Sequence, residues 1–424
     1  MKIHSNKAIL KNYETEDGSL VIPEIYDLTE PSFHFYLFPT DFYQILSVII
    51  IFFSGCIIIS ILSGKFKINL FLSFAIYFWH TLFLCLYLFY TYYEKGDAAK
   101  YFDHSLRSAY FYLFEPIGTK FILAFTSIFS QFLYFNYLSV FLIYNLIGSL
   151  GVILLLDILV KNKIKSNLIT NIIIITIIFL PSMNFWTVSI GKDSIFFFAT
   201  SLLLWSIFNY KQNIYLRYLS LLILFLLRPH YGFIGLGIFL TYDLFFNKSS
   251  FKTLYLKIFV IIISIIVAPY IFLFLLDYVG YYSVTDYDQF TIKGFLNFID
   301  VRSRYAHSDS FYNVSEMNYI YAIFTLLFRP LIFEVKNIFQ LVISIENLIL
   351  LIIVTFLIIK KLLSKLSIPH SITITLFFYM ITLLFFLSIS VGNFGIASRQ
   401  KWMVLPILLV LLLTKPLTNE KSKY

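Results

Sequence analysis

Charge is the scarcest ingredient of this chain. Asp, Glu, Lys and Arg make up 13% of its residues, against roughly 25% in soluble domains, which excludes an ordinary water-facing surface over most of its length. Cysteine is nearly missing. The two that occur, Cys56 and Cys85, both lie in apolar runs and offer neither metal-ligand spacing nor a disulfide framework. There is no P-loop, no Gly-x-Gly-x-x-Gly and no His-Glu-x-x-His. Those absences argue against an ATP-driven pump and a zinc protease. No Gly/Ser-rich or Pro-rich linker divides the chain, and no internal repeat is visible. Residues 1–40 are mixed polar with no early apolar core, so no cleavable signal peptide is expected.

What is present is hydrophobic: 59% of residues are apolar and 20% aromatic, with a mean hydropathy of +0.84. Several runs exceed ~18 nearly uncharged residues, the signature of membrane-crossing helices. A β-barrel would show ~10-residue alternating segments instead. The pattern predicts an all-α, polytopic transmembrane helical bundle. Its spans fall near residues 43–63, 68–90, 136–160, 168–180, 195–210, 218–227, 232–246, 257–276, 343–359, 371–391 and 402–413. That makes about eleven, with short interfacial helices outside. Residues 1–40 read as a polar tail and 41–414 as one membrane domain. Its outer loops are 94–119, 181–194, 277–342 and 392–401, and 415–424 form a basic cytoplasmic tail.

Orientation follows the excess of Lys and Arg in short cytoplasmic links. Lys65 and Lys67, residues 161–165, 211–217, 248–252 and 360–365, and the C-terminal tail fall on one side, which predicts a cytoplasmic C-terminus and an N-terminus outside. The formal charge of +9 is spread over these links, and no soluble basic domain for a nucleic acid is visible. Acids inside the apolar runs are sparse, with Asp157 and Asp243 near the cytoplasmic ends. A proton- or sodium-coupled transporter places such groups near the bilayer midplane instead.

The other side collects the chemistry. The stretch from Pro181 to Asp193, between two apolar runs, carries Trp186, Gly191, Lys192 and Asp193. With it come Asp97, Asp103 and His104, then Arg228-Pro-His230, then Arg302, Arg304 and His307, then Arg329 and Glu334, and finally Arg399 and Lys401. Arg228, Arg329 and Arg399 each adjoin an apolar segment, where a guanidinium is costly unless paired or snorkelling. Several at one face point to an anionic target, and the planar guanidinium suits phosphate. At a lipid boundary that target is a lipid phosphate or pyrophosphate. Plainer readings stand beside this one. Each arginine could be an interfacial anchor, and Lys192-Asp193 a local ion pair closing a turn. Arg228-Pro-His230 could be a helix end, Asp97 after Gly96 a helix N-cap, and His104 a structural histidine.

The central Phe-Trp-Thr-Val-Ser-Ile-Gly-Lys-Asp193, Arg228-Pro-His230, Phe328-Arg-Pro330 with Glu334, and Gly392-Asn-Phe-Gly with Arg399-Gln-Lys401 resemble bacterial O-antigen or capsule repeat-unit polymerases (Wzy-type). The outer Gly-Asp loop also resembles glycosyltransferases of the GT-C architecture, although the acidic pair those use in their first outer loop is not present. The resemblance covers about residues 90–405. It implies an enzyme of the bacterial cytoplasmic membrane that transfers glycosyl groups between polyprenyl-(pyro)phosphate-linked sugars on the outer face. Its partners would be that lipid, the bilayer and other polysaccharide-assembly proteins, with no nucleic acid. Asp97, Asp103 or His104 would serve as general base. Lys192, Arg228, His230, Arg329 and Arg399, with Arg302 and Arg304, would bind the leaving pyrophosphate. No metal and no cofactor are expected, since arginines can neutralise the leaving group. The alternatives are a GT-C transferase using a polyprenyl-phosphate sugar, with Asp97 as base, and a flippase or transporter for lipid-linked glycans.

Overall fold

The computed structural model describes residues 41–93, 96–107, 109–163, 167–209, 213–246, 254–278, 310–314, 316–363 and 371–415, with isolated positions 39, 291 and 294. Most of the expected N-terminal tail, the part of loop 277–342 that carries Arg302 and Arg304, and the tail after Lys415 lie outside the described residues. Among the described residues the fold is helical, with two isolated bridges, Lys163 to Thr414 and Phe311 to Asn393.

In chain order the helices are α1 (Phe42–Phe66), α2 (Leu70–Tyr93), α3 (Asp97–Ser105), α4 (Thr119–Ser127), α5 (Tyr137–Asn162), α6 (Leu168–Ile178), α7 (Pro181–Thr187) and α8 (Lys192–Phe208). They continue as α9 (Ile214–Leu227), α10 (Pro229–Phe245), α11 (Leu254–Tyr278), α12 (Tyr319–Phe328), α13 (Ile338–Leu363), α14 (Ser371–Ser390), α15 (Phe394–Gln400) and α16 (Leu405–Leu413). Asparagine marks many of the starts. Asn136, Asn167, Asn213, Asn318 and Asn393 each accept a bond from a first-turn backbone N–H, satisfying a donor the helix cannot. Pro181, Pro229 and Pro406 open α7, α10 and α16, where a missing N–H costs nothing.

Among the described residues seven helices are long and apolar enough to cross a membrane, or eight if the pair 394–403 and 405–413, bent by 49°, is one span. The expected crossings at 195–210, 218–227 and 232–246 are the short helices α8, α9 and α10, of 17, 14 and 17 residues. At ~1.5 Å per residue these reach only ~21–26 Å, short of a ~30 Å hydrocarbon core. Of the three, α8 is buried in the middle of the bundle, whereas α9 exposes Tyr215, Leu219 and Leu222 and α10 exposes Phe245. The core runs through α5, α8 and α16, where Val152, Leu155, Leu203, Ile207, Leu409 and Val410 are fully buried. Gly148 lets α5 approach closely, since a Cβ there would lie 2.2 Å from the Thr187 carbonyl oxygen. At the periphery, α1 exposes Phe42, Ile49, Phe53 and Ile57, and α11 exposes Phe259, Ile262, Ile265 and Ile266. Apolar faces of this extent need lipid, not water; the fold is that of a multi-pass membrane protein.

The bundle has two chemically distinct ends. At one, Lys161 Nζ sits 5.3 Å over the Phe66 ring, Lys163 bridges to Thr414, Lys360 reaches Thr170 at 3.4 Å and Lys361 reaches the Leu411 carbonyl. The lysine-rich links therefore gather together. A buried Arg217–Asp243 pair joins α9 to α10, with both Asp243 oxygens 2.7 Å from Arg217 Nη2 and Tyr218 donating at 2.8 Å. The opposite end carries α3, the α7–α8 junction, the α9–α10 junction and α15.

Candidate functional site

The centre of that opposite end is Arg399, in the short helix α15. Its Nε donates to Asp193 Oδ2 and its Nη1 to Asp97 Oδ2 at 3.0 Å. Asp193 lies in the first turn of α8 and is buried. Asp97 is the first residue of α3; Gly96 is the N-cap. The Asp97 side chain is 53% exposed, and among the described residues only its Oδ2 is engaged. A second guanidinium completes the group: Arg228 Nη2 stands 3.8 Å from Asp193 Oδ1, near enough for charge attraction and too far for a hydrogen bond. Asp193 is thus tied across the bundle and is not spent on its neighbour Lys192.

Local sequence explains how each side chain arrives. Arg228 leaves the helical conformation at φ −144° and ψ 92°, and Pro229 opens α10. The α9–α10 turn closes because Gly232 packs on the Phe225 backbone, 2.3 Å from where a Cβ would sit. Arg228 is therefore a helix end and a member of the cluster at once. Gly191 brings the backbone against Tyr101, whose ring lies 3.6 Å from its missing Cβ. Burial, and next the charge of Arg228, push Lys192 down to about 8. Burial, and next Asp97, push the Tyr101 hydroxyl up to about 12. Arg399, Asp97 and Asp193 also act on Lys192, which places it in the same field.

Three cations, Lys192, Arg228 and Arg399, thus face two carboxylates, Asp97 and Asp193, leaving one positive charge uncompensated. Among the described residues the buried donors Arg228 Nε, Trp186 Nε1 and the Tyr231 hydroxyl lack an acceptor here, and the buried acceptor Asp193 Oδ1 lacks a donor. Trp186 lies 5.8 Å under the Arg399 guanidinium. Tyr231 feels both Arg228 and Asp193. Buried donors without acceptors are uncommon and costly. Surplus positive charge and idle donors together make a place for an anion.

Other expected site residues stand elsewhere. Asp103 pairs with Arg107 one turn on, at 3.0 Å. His104, half-buried, has Asp103, Arg107 and Lys100 as its charged neighbours, and burial lowers its pKa. Arg329 binds Glu334 through Nε at 2.9 and 3.0 Å and lies 5.1 Å over Phe394. His230, two residues after Arg228, packs at a tilt against Tyr231, with ring centroids 4.7 Å apart. Arg302 and Arg304 lie outside the described residues. The arrangement brings together Asp97, Lys192, Arg228 and Arg399, adds Asp193, Trp186 and Tyr231, and leaves Asp103 and Arg329 in separate local pairs, with His104 beside the first of them.

A second buried group pairs Lys401, read in the sequence as an outer-side charge, with Glu346, which went unnoticed. Lys401, two residues beyond Arg399, turns inward to Glu346 Oε1 at 3.3 Å and donates to Asn347 Oδ1 at 2.6 Å. The Glu346 carboxylate also accepts from Ser182 N–H at 2.6 Å and from the Ser182 hydroxyl, which itself accepts from Trp402 Nε1 at 2.7 Å. One bent segment therefore sends Arg399 to the cluster and Lys401 to a lock between α7 and α13. An ionisable residue inside an apolar run was the available signal.

No protein-family model, curated protein or solved structure matches this chain. Among the described residues no group of three His, Cys, Asp or Glu side chains could hold a metal ion.

Proposed function

We propose that this chain is a membrane glycosyltransferase acting on polyprenyl-linked sugars at the outer face of a bacterial cytoplasmic membrane, in the manner of a surface-polysaccharide repeat-unit polymerase. The observation that carries the reading is the meeting of Arg228 and Arg399 at Asp193 on a lipid-facing bundle, with Lys192, the chain neighbour of Asp193, in their field and positive charge to spare. Fixed guanidinium groups stabilise a leaving (pyro)phosphate as its negative charge develops. A hydroxyl of one lipid-linked unit attacks the anomeric carbon of another. The carbon–oxygen bond to the polyprenyl pyrophosphate breaks, and the leaving group keeps the electron pair. Asp97 takes the hydroxyl proton, because it is the half-exposed carboxylate of the cluster. Asp193, buried between two guanidinium groups, orients them.

In this reading the lysine-rich end and the C-terminus face the cytoplasm, as the positive-inside bias requires. Counting α8, α9 and α10 as crossings gives about eleven spans and puts the N-terminus outside. Other polysaccharide-assembly proteins are the expected partners.

The test is the surface-polysaccharide profile of a deletion strain complemented with wild type, Arg228→Ala or Asp97→Asn. Single capped repeats in the deletion, and ladders restored only by wild type, support polymerisation. Loss of even one repeat points to a flippase or an earlier transferase. An unchanged profile refutes the reading.

A further inference from the structure

The charged cluster borders a seam of aromatic rings that leads away from it. Trp186, under Arg399, meets Phe185 with ring centroids 5.1 Å apart and Phe339 at 6.5 Å. Phe185 and Phe339 are 5.6 Å apart, and Tyr90 closes the group at 5.6 Å from Phe185 and 6.2 Å from Phe339. The inner end of the seam is buried at Trp186, whose indole N–H has no acceptor among the described residues. Its outer end opens at Phe339, 38% exposed, onto the apolar face of α13, where Val342 and Ile345 are exposed as well. Packed aromatic rings therefore run in contact from the point of surplus positive charge, where Phe185 and Trp186 are buried, to the exposed flank at Phe339. A soluble sugar phosphate has no use for such a path, whereas an amphiphile with an anionic head and a long unbranched-by-charge tail fits both ends of it.

We infer that this seam is the subsite for the isoprenoid tail next to the phosphate. The tail's first units pack on Trp186, Phe185, Tyr90 and Phe339, and the rest leaves along α13 past Val342 and Ile345. The Trp186 indole N–H donates to a phosphate or bridging oxygen. The inference rests on the reading of Lys192, Arg228 and Arg399 as the phosphate site, and it adds where the tail enters, between α2 and α13.

The experiment measures binding of two probes, farnesyl pyrophosphate and inorganic pyrophosphate, to the full-length protein in detergent. Wild type is expected to prefer the farnesyl probe by about 100-fold, since burying apolar surface adds to the shared head-group contacts. Phe339→Ala lowers farnesyl affinity by about tenfold and leaves inorganic pyrophosphate unchanged. Phe339→Leu, which keeps an apolar side chain, gives a smaller loss. Equal binding of the two probes, an equal loss of both in Phe339→Ala, or equally tight competition by phosphatidic acid overturns the seam. The head-group reading is judged separately. Inorganic pyrophosphate binding that disappears in Arg228→Ala upholds it even if the seam fails. Farnesyl binding sensitive to Phe339→Ala but not to Arg228→Ala upholds the seam and refutes the head-group reading.

Discussion

Arg399 Nη1 lies 3.0 Å from Asp97 Oδ2, although 302 positions separate the two residues in the chain. The same guanidinium holds Asp193. It therefore joins the first turns of α3 and α8, and the charged end of the bundle is assembled around it.

Asp97 and Arg399 separate stability from activity. The Asp97 side chain is 53% exposed, and exposed pairs contribute only ~0–1 kcal/mol. Asp97→Asn should leave thermal unfolding in detergent nearly unchanged while abolishing glycan chain extension. A large loss of stability, or retained ladders, contradicts the role given to it.

The Glu346–Lys401 lock should behave oppositely. Both groups are buried, and removing one partner leaves an uncompensated charge at a cost on the order of 3–5 kcal/mol. Glu346→Gln or Lys401→Met should each lower the unfolding temperature markedly, and the double variant should recover part of the loss. Additive losses in the double variant would show that the pair is not coupled.

Lys192 gives the cluster a pH dependence. Burial, then Arg228, hold its ammonium at about 8, below its ordinary value of 10.5. It is charged below about pH 8 and neutral above, so affinity for inorganic pyrophosphate should fall as pH rises through 8. Lys192→Arg, charged throughout, should remove that step. The stability effect has the other sign: between about 8 and 10.5 the unfolded chain binds the proton and the folded one does not. Folding stability from this group therefore rises with pH in that window. Both trends are read by titrating binding and unfolding across pH 7 to 10.

Arg217 and Asp243 serve as a control far from the cluster. Asp243→Asn leaves Arg217 buried without its charge partner and should destabilise the α9–α10 hairpin by about 3–5 kcal/mol. Pyrophosphate affinity of the folded fraction should stay at the wild-type value. A change in affinity would mean that the two ends of the bundle are coupled through that hairpin.

Much of this was readable from residue order, and the exceptions have physical causes. Long apolar runs marked the helices, because hydropathy is written within a few residues of chain. Asp97, Lys192, Arg228 and Arg399 stood out as charges beside apolar runs, and the fold brings them together. Asp193 was visible in the same stretch, but its partners lie on other helices and its role needed the fold. Glu346 was hidden in a run read as a span. His80 was hidden likewise; its ring nitrogens meet Asn145 at 2.7 Å and Thr187 at 3.0 Å, deep between α2, α5 and α7. A single polar residue in a helix says nothing of which neighbour satisfies it. The number of crossings was blurred for a related reason: α8 is apolar because protein surrounds it, α9 also exposes Leu219 and Leu222, and hydropathy does not distinguish protein from lipid.

The most direct test of the central claim is mass spectrometry of the lipid extract from cells carrying Arg228→Ala as the only copy, with outer-face exposure of the extracted species probed on intact cells. The account predicts single repeat units linked to polyprenyl pyrophosphate, accumulated on the outer face and not extended. The same units trapped on the cytoplasmic face would make the protein a flippase, and no accumulation at all would contradict a role for the cluster in handling lipid-linked sugars.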